Sequence, residues 1–217
     1  MTYPNFNEEK KLWKQGYKFV VGLDEAGRGP LAGPVVAAAV FIKINIKNQI
    51  PKINDSKKLS EKQREFFYEK LTNNPQIQWG IGTVSEKVID KINILEATKL
   101  AMHKAIKDLS SKIQSFEFLK TGNVFLILDG NFKIKSKIPQ KPIIKADEKV
   151  FSCTVAGIIA KVTRDGIMRE LHKKYPRYGF NNHKGYGTFL HIENLKNFGA
   201  CKIHRKTFKP IKTIAKI

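Results

Sequence analysis

Four carboxylates stand where short apolar runs end. Asp24 and Glu25 follow residues 17–23, Asp129 follows residues 124–128, and Asp147 follows the apolar segment 142–145. If the first two runs are neighbouring strands, Asp24, Glu25 and Asp129 meet at one edge of a sheet, where ligand sites of open α/β folds form, and Asp147 completes the group. Carboxylates that close raise one another's pKa unless positive charge compensates them. Mg²⁺ or Mn²⁺ provides that charge, since both accept carboxylate and water oxygens. Two such ions roughly 3.5–4 Å apart activate a water and stabilise the departing oxygen during in-line displacement at a phosphodiester. The same acids also suit a plainer role as turn residues making local hydrogen bonds, and spacing alone does not separate the two.

The charge balance bears on the partner. Forty Lys and Arg against nineteen Asp and Glu give +21, and residues 171–217 hold eleven Lys and Arg against one acid, Glu193. An excess of that size favours a polyanion, of which nucleic acid is the commonest large one. A lysine-rich solvated surface would give the same total, so the acidic residues carry the discrimination. A noncatalytic nucleic-acid-binding module would explain the lysines but leave the strand-end acids unfavourable toward phosphate.

The 217 residues, 41% of them hydrophobic, suffice for one sizeable core. A single catalytic domain over 1–217 is expected, with a basic substrate-binding part at about 172–217. Cys153 and Cys201 are far apart and belong to no ligand array, so they read as free thiols. The first twenty residues lack a secretory apolar run and no later stretch is long enough to span a bilayer, which predicts a soluble, cytoplasmic monomer.

The positioning elements follow from apolar patterning. Residues 17–23 and 35–44 read as adjacent strands joined by the Gly- and Pro-punctuated loop 27–33. Ser60 caps a helix over about 61–71, a third strand fits 77–84, and helical spacing over 86–109 is interrupted near Asn93. Residues 124–128 are apolar throughout, as in a buried strand. A short strand at 142–145, a helix over about 150–171 and a last helix near 189–198 complete a mixed sheet covered by helices.

Asp24-Glu25-Ala26-Gly27-Arg28-Gly29-Pro30-Leu31-Ala32-Gly33-Pro34 closely resembles the opening signature of bacterial ribonuclease HII. The resemblance continues through Asn54-Asp55-Ser56-Lys57-Lys58-Leu59-Ser60, Leu128-Asp129-Gly130-Asn131, Lys145-Ala146-Asp147, Ala160-Lys161-Val162-Thr163-Arg164-Asp165 and His183-Lys184-Gly185-Tyr186-Gly187-Thr188. The six blocks keep the family's order. They imply an α/β ribonuclease H-like fold with a mixed five-stranded sheet and a C-terminal helical part. They also imply metal-dependent endonucleolytic cleavage of RNA in RNA–DNA hybrids and on the 5′ side of single ribonucleotides in duplex DNA, leaving 3′-hydroxyl and 5′-phosphate. By position in the motifs, Asp24, Glu25, Asp129 and Asp147 are the catalytic, metal-binding acids, with Mn²⁺ or Mg²⁺ as cofactor. Asp165, inside a helix, is expected as a structural ion pair or a supporting residue.

Gly27, Arg28 and Gly29 are expected to sense the ribonucleotide: glycines admit close backbone approach to a 2′-OH, and Arg28 offers a multidonor contact to phosphate. Tyr186 is expected to read the junction where a ribonucleotide precedes deoxyribonucleotide, its ring stacking on a sugar or base edge. Lys57, Lys58, Lys161, Lys184 and Arg205 are candidate phosphate contacts. Two departures from the family pattern stand out. Thr154-Val155-Ala156-Gly157 replaces the usual Ser-Ala-Ala-Ser, which removes a hydroxyl at Gly157, and Ala146 replaces a glycine without touching Asp147. Ribonuclease HIII shares the chemistry, but the sixteen residues before Tyr17 leave no room for its additional N-terminal domain. A replication clamp as partner finds no support in residues 208–217 alone.

Overall fold

Val35–Ile42 is a run of eight buried residues, VVAAAVFI. Such a run is stable only as a strand covered on both faces. The computed structural model, which describes residues 3–43, 53, 59–113 and 122–214, places it second from one edge of a five-stranded sheet. In chain order the strands are β1 (Phe19–Ala26), β2 (Val35–Ile42), β3 (Ile77–Val84), β4 (Val124–Asp129) and β5 (Gln140–Ile143). Their spatial order is β3-β2-β1-β4-β5. β1, β2 and β3 pair antiparallel as a meander, whereas β4 lies parallel to β1 and β5 parallel to β4.

Strand alternation divides the core. Val21, Leu23, Ala37, Ala39, Leu126 and Leu128 pack with Ala97, Ala101, Met102, Ala105 and Leu109 of the helix Glu86–Lys112. That helix is broken at Asn93, whose φ of 67° is non-helical and whose Oδ1 accepts from the N–H groups of Leu95 and Glu96, making it an internal cap. On the opposite face Ala38, Val40 and Ile42 meet Val155, Ile158 and Ile159 of the helix Phe151–Lys174. This second helix crosses β1 so closely that a Cβ on Gly22 would lie 2.4 Å from the Ser152 carbonyl carbon. Only glycine fits there, and the close approach brings the helix over the strand ends that carry the acids.

The expected elements are found with shifted ends. β1 begins two residues later and runs through Asp24 and Glu25, β5 occupies Gln140–Ile143 rather than 142–145, and the long helix extends to Lys174. Ser60 caps the helix Glu61–Thr72 with a reciprocal Gln63 contact. The helix Phe189–Phe198 falls where it is expected. A helix at Asn7–Lys14 was not anticipated. It is docked by buried Glu9, which accepts hydrogen bonds of 2.9 Å from both the N–H and the Oγ of Ser152. Among the described residues no helix is long and apolar enough to cross a membrane, and both cysteines are free thiols.

The C-terminal part gathers Tyr178, Phe180, Leu195, Ile203 and Ile211 around Leu31, Ala32 and Met168. Beside them His183 and His191 stack at 4.5 Å between ring centroids, and His204 lies 5.2 Å from His191. Burial first, then the neighbouring imidazole, pushes His191 and His204 down to about 4. Unfolded histidines titrate near 6.5, so between there and pH 4 the unfolded chain binds protons that the native one refuses. The stability these histidines contribute is therefore complete above about pH 6.5 and declines as the pH falls toward 4. Buried Glu9 and Asp24, whose carboxyls are pushed upward, act in the opposite sense. They are common to wild type and a His191→Asn variant, so a comparison of the two cancels them. The urea midpoint advantage of wild type over His191→Asn should shrink between pH 7.5 and pH 5, and a constant or widening gap would refute the linkage.

Candidate active site

The parallel β1–β4 ladder pairs Leu23 with Leu128, so Asp24 and Asp129 are the next residues on adjacent strands and share a face. Within the antiparallel ladder Asp24 pairs with Ala38, which fixes that face as the one under the helix Phe151–Lys174. Asp147 arrives on a single 3₁₀ turn, Ala146–Glu148, entered through Lys145 in a left-handed conformation with φ 58°. Side chains of Asp129 and Thr154 help hold that turn. The Ala146 N–H donates to Asp129 Oδ1 at 2.6 Å, and the Thr154 hydroxyl donates to the Asp147 carbonyl at 2.7 Å. Asp129 thereby positions the backbone that presents Asp147.

One carboxylate oxygen from each of Asp24, Asp129 and Asp147 lies within 4.8 Å of the others. Asp24 is buried, and burial together with Glu25, Asp129 and Asp147 raises its carboxyl well above the usual range. The Glu25 N–H, donating to Asp24 Oδ1 at 2.7 Å, opposes this in part. An all-oxygen, mutually repelling donor set of this kind suits a hard divalent cation, which the three acids can coordinate. Glu25 is turned by strand alternation to the other side of β1. Its Oε1 meets Arg28 at 3.2 Å and it lines the same cleft, so three of the four expected acids form the compact cluster and the fourth stands at its rim.

The cleft, about 390 Å³, is bounded by these acids, by Gly27, Arg28 and Gly29, and by Arg64, Gly157, Lys161 and Tyr186. A Cβ on Gly29 would lie 3.8 Å from the Tyr186 ring, so the glycine loop and the tyrosine are immediate neighbours. Tyr186 is 42% exposed, with Lys161 Nζ 5.6 Å from its ring centroid. Lys161 also pairs with buried Asp165 at 2.8 Å, placing Asp165 as the ion-pair partner expected of it. Gly157, where the hydroxyl is missing, forms part of the cleft wall.

Two candidate phosphate contacts need correction. Arg205 is fully buried, and its guanidinium donates to the carbonyls of Gly33, Arg28, Gly27 and Pro34 at 2.6–3.2 Å. Lys184 is also buried, in a left-handed conformation, with its ammonium bonded to the Asn181 carbonyl and 3.3 Å from Glu61. Both hold the protein's own loops rather than offering charge to a ligand. Lys57 and Lys58 lie outside the described residues.

Arg164, which sequence reasoning did not single out, duplicates the first role. Fully buried, it donates to the carbonyls of Pro34, Lys184 and Ala32 at 2.9–3.1 Å. Two guanidiniums thus grip one loop from beneath. Burial first and Arg164 second push Arg205 down to about 9. Gly27, at φ +99°, has no space for a side chain, since a Cβ there would stand 2.1 Å from Arg164 Nε. Arg64 was missed too, because it sits in a Glu- and Lys-rich helix start that reads as a solvated face.

Residues 21–211 match the family model described as ribonuclease HII. The chain belongs to the ribonuclease HII family. It is 50% identical over 207 residues to the ribonuclease HII of Chlamydia muridarum, covering 94% of this chain and 88% of that one. It is 51% identical over 199 residues to that of Fusobacterium nucleatum, with coverages of 91% and 88%. The fold matches the crystal structure of ribonuclease H2 from Pyrococcus horikoshii with a TM-score of 0.69 at 28% identity, covering 91% of this chain and 97% of that one. Like other members of the ribonuclease HII family, the chain is a metal-dependent endonuclease that cleaves RNA in RNA–DNA hybrids, and its acidic cluster is the group suited to hold the metal.

Repulsion in the cluster has a measurable consequence. Asp24→Asn removes a buried carboxyl whose ionisation its neighbours oppose and should raise the thermal midpoint in EDTA by roughly 2–4 °C, the equivalent of about 1 kcal/mol in a domain of this size. Mn²⁺ should raise the wild-type midpoint and add less to the variant's. A lower midpoint for the variant in EDTA, or an equal Mn²⁺ shift in both proteins, would exclude Asp24 as a repelled metal ligand.

Proposed function

We propose that this ribonuclease HII cuts on the 5′ side of a single ribonucleotide embedded in duplex DNA as well as within longer hybrids, using Mg²⁺ or Mn²⁺ held by Asp24, Asp129 and Asp147 with Glu25 at the rim. The observation carrying the reading is that the carboxylates, the Gly27-Arg28-Gly29 loop and Tyr186 line one cleft. Bound divalent cations supply Lewis acidity at the phosphate and a more acidic water. The protein's own contribution is placement. Backbone groups of Gly27 and Gly29 meet the 2′-OH, which a deoxyribose lacks. The Tyr186 ring packs against the sugar on the 3′ side and selects the junction, while Arg28 and Lys161 contact flanking phosphates. Water adds to phosphorus as the bond to the preceding O3′ breaks. The upstream DNA keeps a 3′-hydroxyl and the ribonucleotide a 5′-phosphate.

The net charge of +21 supports sequence-independent affinity for the duplex. A substrate of this kind places the enzyme in the cytoplasm, where Cys153 and Cys201 stay reduced. A clamp contact through the C-terminal segment gains nothing from Phe208, which packs against two of the core clusters instead of facing a partner.

The test uses 5′- and 3′-labelled duplexes carrying one ribonucleotide, with Mg²⁺, Mn²⁺ or EDTA and an all-DNA control. Metal-dependent cutting on the 5′ side of the ribonucleotide is expected, abolished by Asp24→Asn or Asp129→Asn while duplex binding persists. Tyr186→Ala should lower the rate on this substrate more than on a long hybrid. Cleavage of long hybrids alone would reject the junction-reading role, and activity retained in both Asp variants would reject the metal site.

A further inference from the structure

Joined to the Tyr186 backbone, the buried histidines make a continuous hydrogen-bonded path. The Cys201 N–H lies 2.9 Å from His204 Nδ1, and the Cys201 thiol lies 3.1 Å from the same nitrogen. His204 Nε2 is 3.0 Å from His191 Nε2, and His191 Nδ1 is 2.9 Å from the Tyr186 carbonyl oxygen. Both imidazoles are at most 1% exposed.

The two ends of this path fix every proton along it. A backbone N–H only donates, so His204 Nδ1 is an acceptor and the His204 proton sits on Nε2. A carbonyl only accepts, so His191 carries its proton on Nδ1 and its Nε2 is an acceptor. The contact between the rings is therefore His204 Nε2–H donating to His191 Nε2, and both rings are neutral. Any additional proton would set two donors against each other at one of these contacts. The adjacent His183 is fixed in the same manner. It accepts the Gly185 N–H at Nδ1 and donates from Nε2 to the Tyr178 carbonyl at 2.7 Å. No spacing in the sequence announced this arrangement.

The Tyr186 carbonyl is the endpoint, and its hold is shared with the Thr188 N–H at 2.8 Å. Thr188 caps the helix Phe189–Phe198, which bears His191. Gly185, one residue before the tyrosine, accepts the Leu31 N–H at 2.8 Å. The backbone of Tyr186 is thus tied in front to the glycine loop and behind to the imidazoles. We propose that Cys201, His204 and His191 form a hydrogen-bond wire of single polarity, and that His191 and His204 are positioning residues which set Tyr186 for ribonucleotide-junction reading. The second half of this proposal rests on the role given to Tyr186 above, whereas the wire itself does not.

Two measurements on the full chain test it. In two-bond ¹H–¹⁵N spectra of histidine-labelled protein at pH 7.5, His191 should show the Nδ1–H tautomer and His183 and His204 the Nε2–H tautomer. His191 protonated on Nε2, averaged between tautomers or doubly protonated would overturn the wire whatever Tyr186 does. The second measurement uses amide replacements that mimic one ring nitrogen each. His191→Asn keeps a donor near the Tyr186 carbonyl, and His191→Gln keeps only the group facing His204. The Gln variant should lose about tenfold in kcat on a single-ribonucleotide duplex and much less on a long hybrid, whereas Asn recovers most of that loss. Placed in Tyr186→Ala, the Gln substitution should cost nothing further, because its effect runs through the tyrosine. Equal losses from Asn and Gln, or an undiminished loss in the Tyr186→Ala background, would overturn the positioning role. Wild-type rates in Tyr186→Ala would instead overturn the reading of Tyr186 and leave the spectra to decide the wire.

Discussion

Everything about the site depends on forcing like charges together. Asp24, Asp129 and Asp147 repel one another, and the burial of Asp24 makes the repulsion worse by removing water from it. An isolated loop carrying three such acids would open. Here two of them end parallel strands whose neighbouring residues, Leu23 and Leu128, are wholly buried, so the acids cannot separate without breaking the β1–β4 ladder and the core beneath it. The third is hydrogen-bonded through its own turn to Asp129. The free energy of core packing is thereby held as unfavourable electrostatics at one point, and a divalent cation is the species that relieves it.

The substrate recognition we propose is built by the opposite means. The residues assigned to it lie on loops, where no ladder fixes them, and buried cations take the place of backbone pairing. Arg164 and Arg205 come from a helix and from the C-terminal part, yet converge on carbonyls of residues 27, 28 and 32–34. Carbonyl dipoles are the counter-charge in this clamp. It holds the glycine loop at the mouth of the acidic cleft without placing a further carboxylate there, which would compete for the metal. It also makes the basic C-terminal part inseparable from the active site, since Arg205 reaches across to residues that follow β1 directly.

The frame of the fold was legible because buried strands and capped helices leave local signals: unbroken apolar runs at β2 and β4, and Ser60 at a helix start. The ends of β1 were not, since pairing with Val36 and Ala37 carries the strand through two acids that look like a terminus. The helix Asn7–Lys14 escaped notice for a related reason. Its anchor, Glu9, is a carboxylate in a position that patterning reserves for apolar residues. The acids of the site were found at the ends of apolar runs and then assigned by motif position, and the lysine and arginine misreadings share one cause. An Arg or Lys is read as exposed unless its partners are known, and the partners of Arg205 are carbonyls more than 170 residues away.

The C-terminal histidines extend the same division of labour into neutral groups. A second carboxylate behind Tyr186 could have oriented an imidazole, but it would have added negative charge to a surface that must accept phosphate. Neutral histidines fixed by a backbone N–H at one end and a carbonyl at the other give direction without charge. Charge in this protein is thus concentrated where chemistry or affinity needs it, in the acid cluster and on the basic exterior. The groups that hold the loops lining the cleft bond chiefly to backbone, through two buried guanidiniums and a set of neutral imidazoles. A protein with a net charge of +21 thus holds carboxylate oxygens of three acids within 4.8 Å of one another in its cleft. Among the described residues, two cations at the cleft are paired at its rim, Arg28 with Glu25 and Lys161 with Asp165.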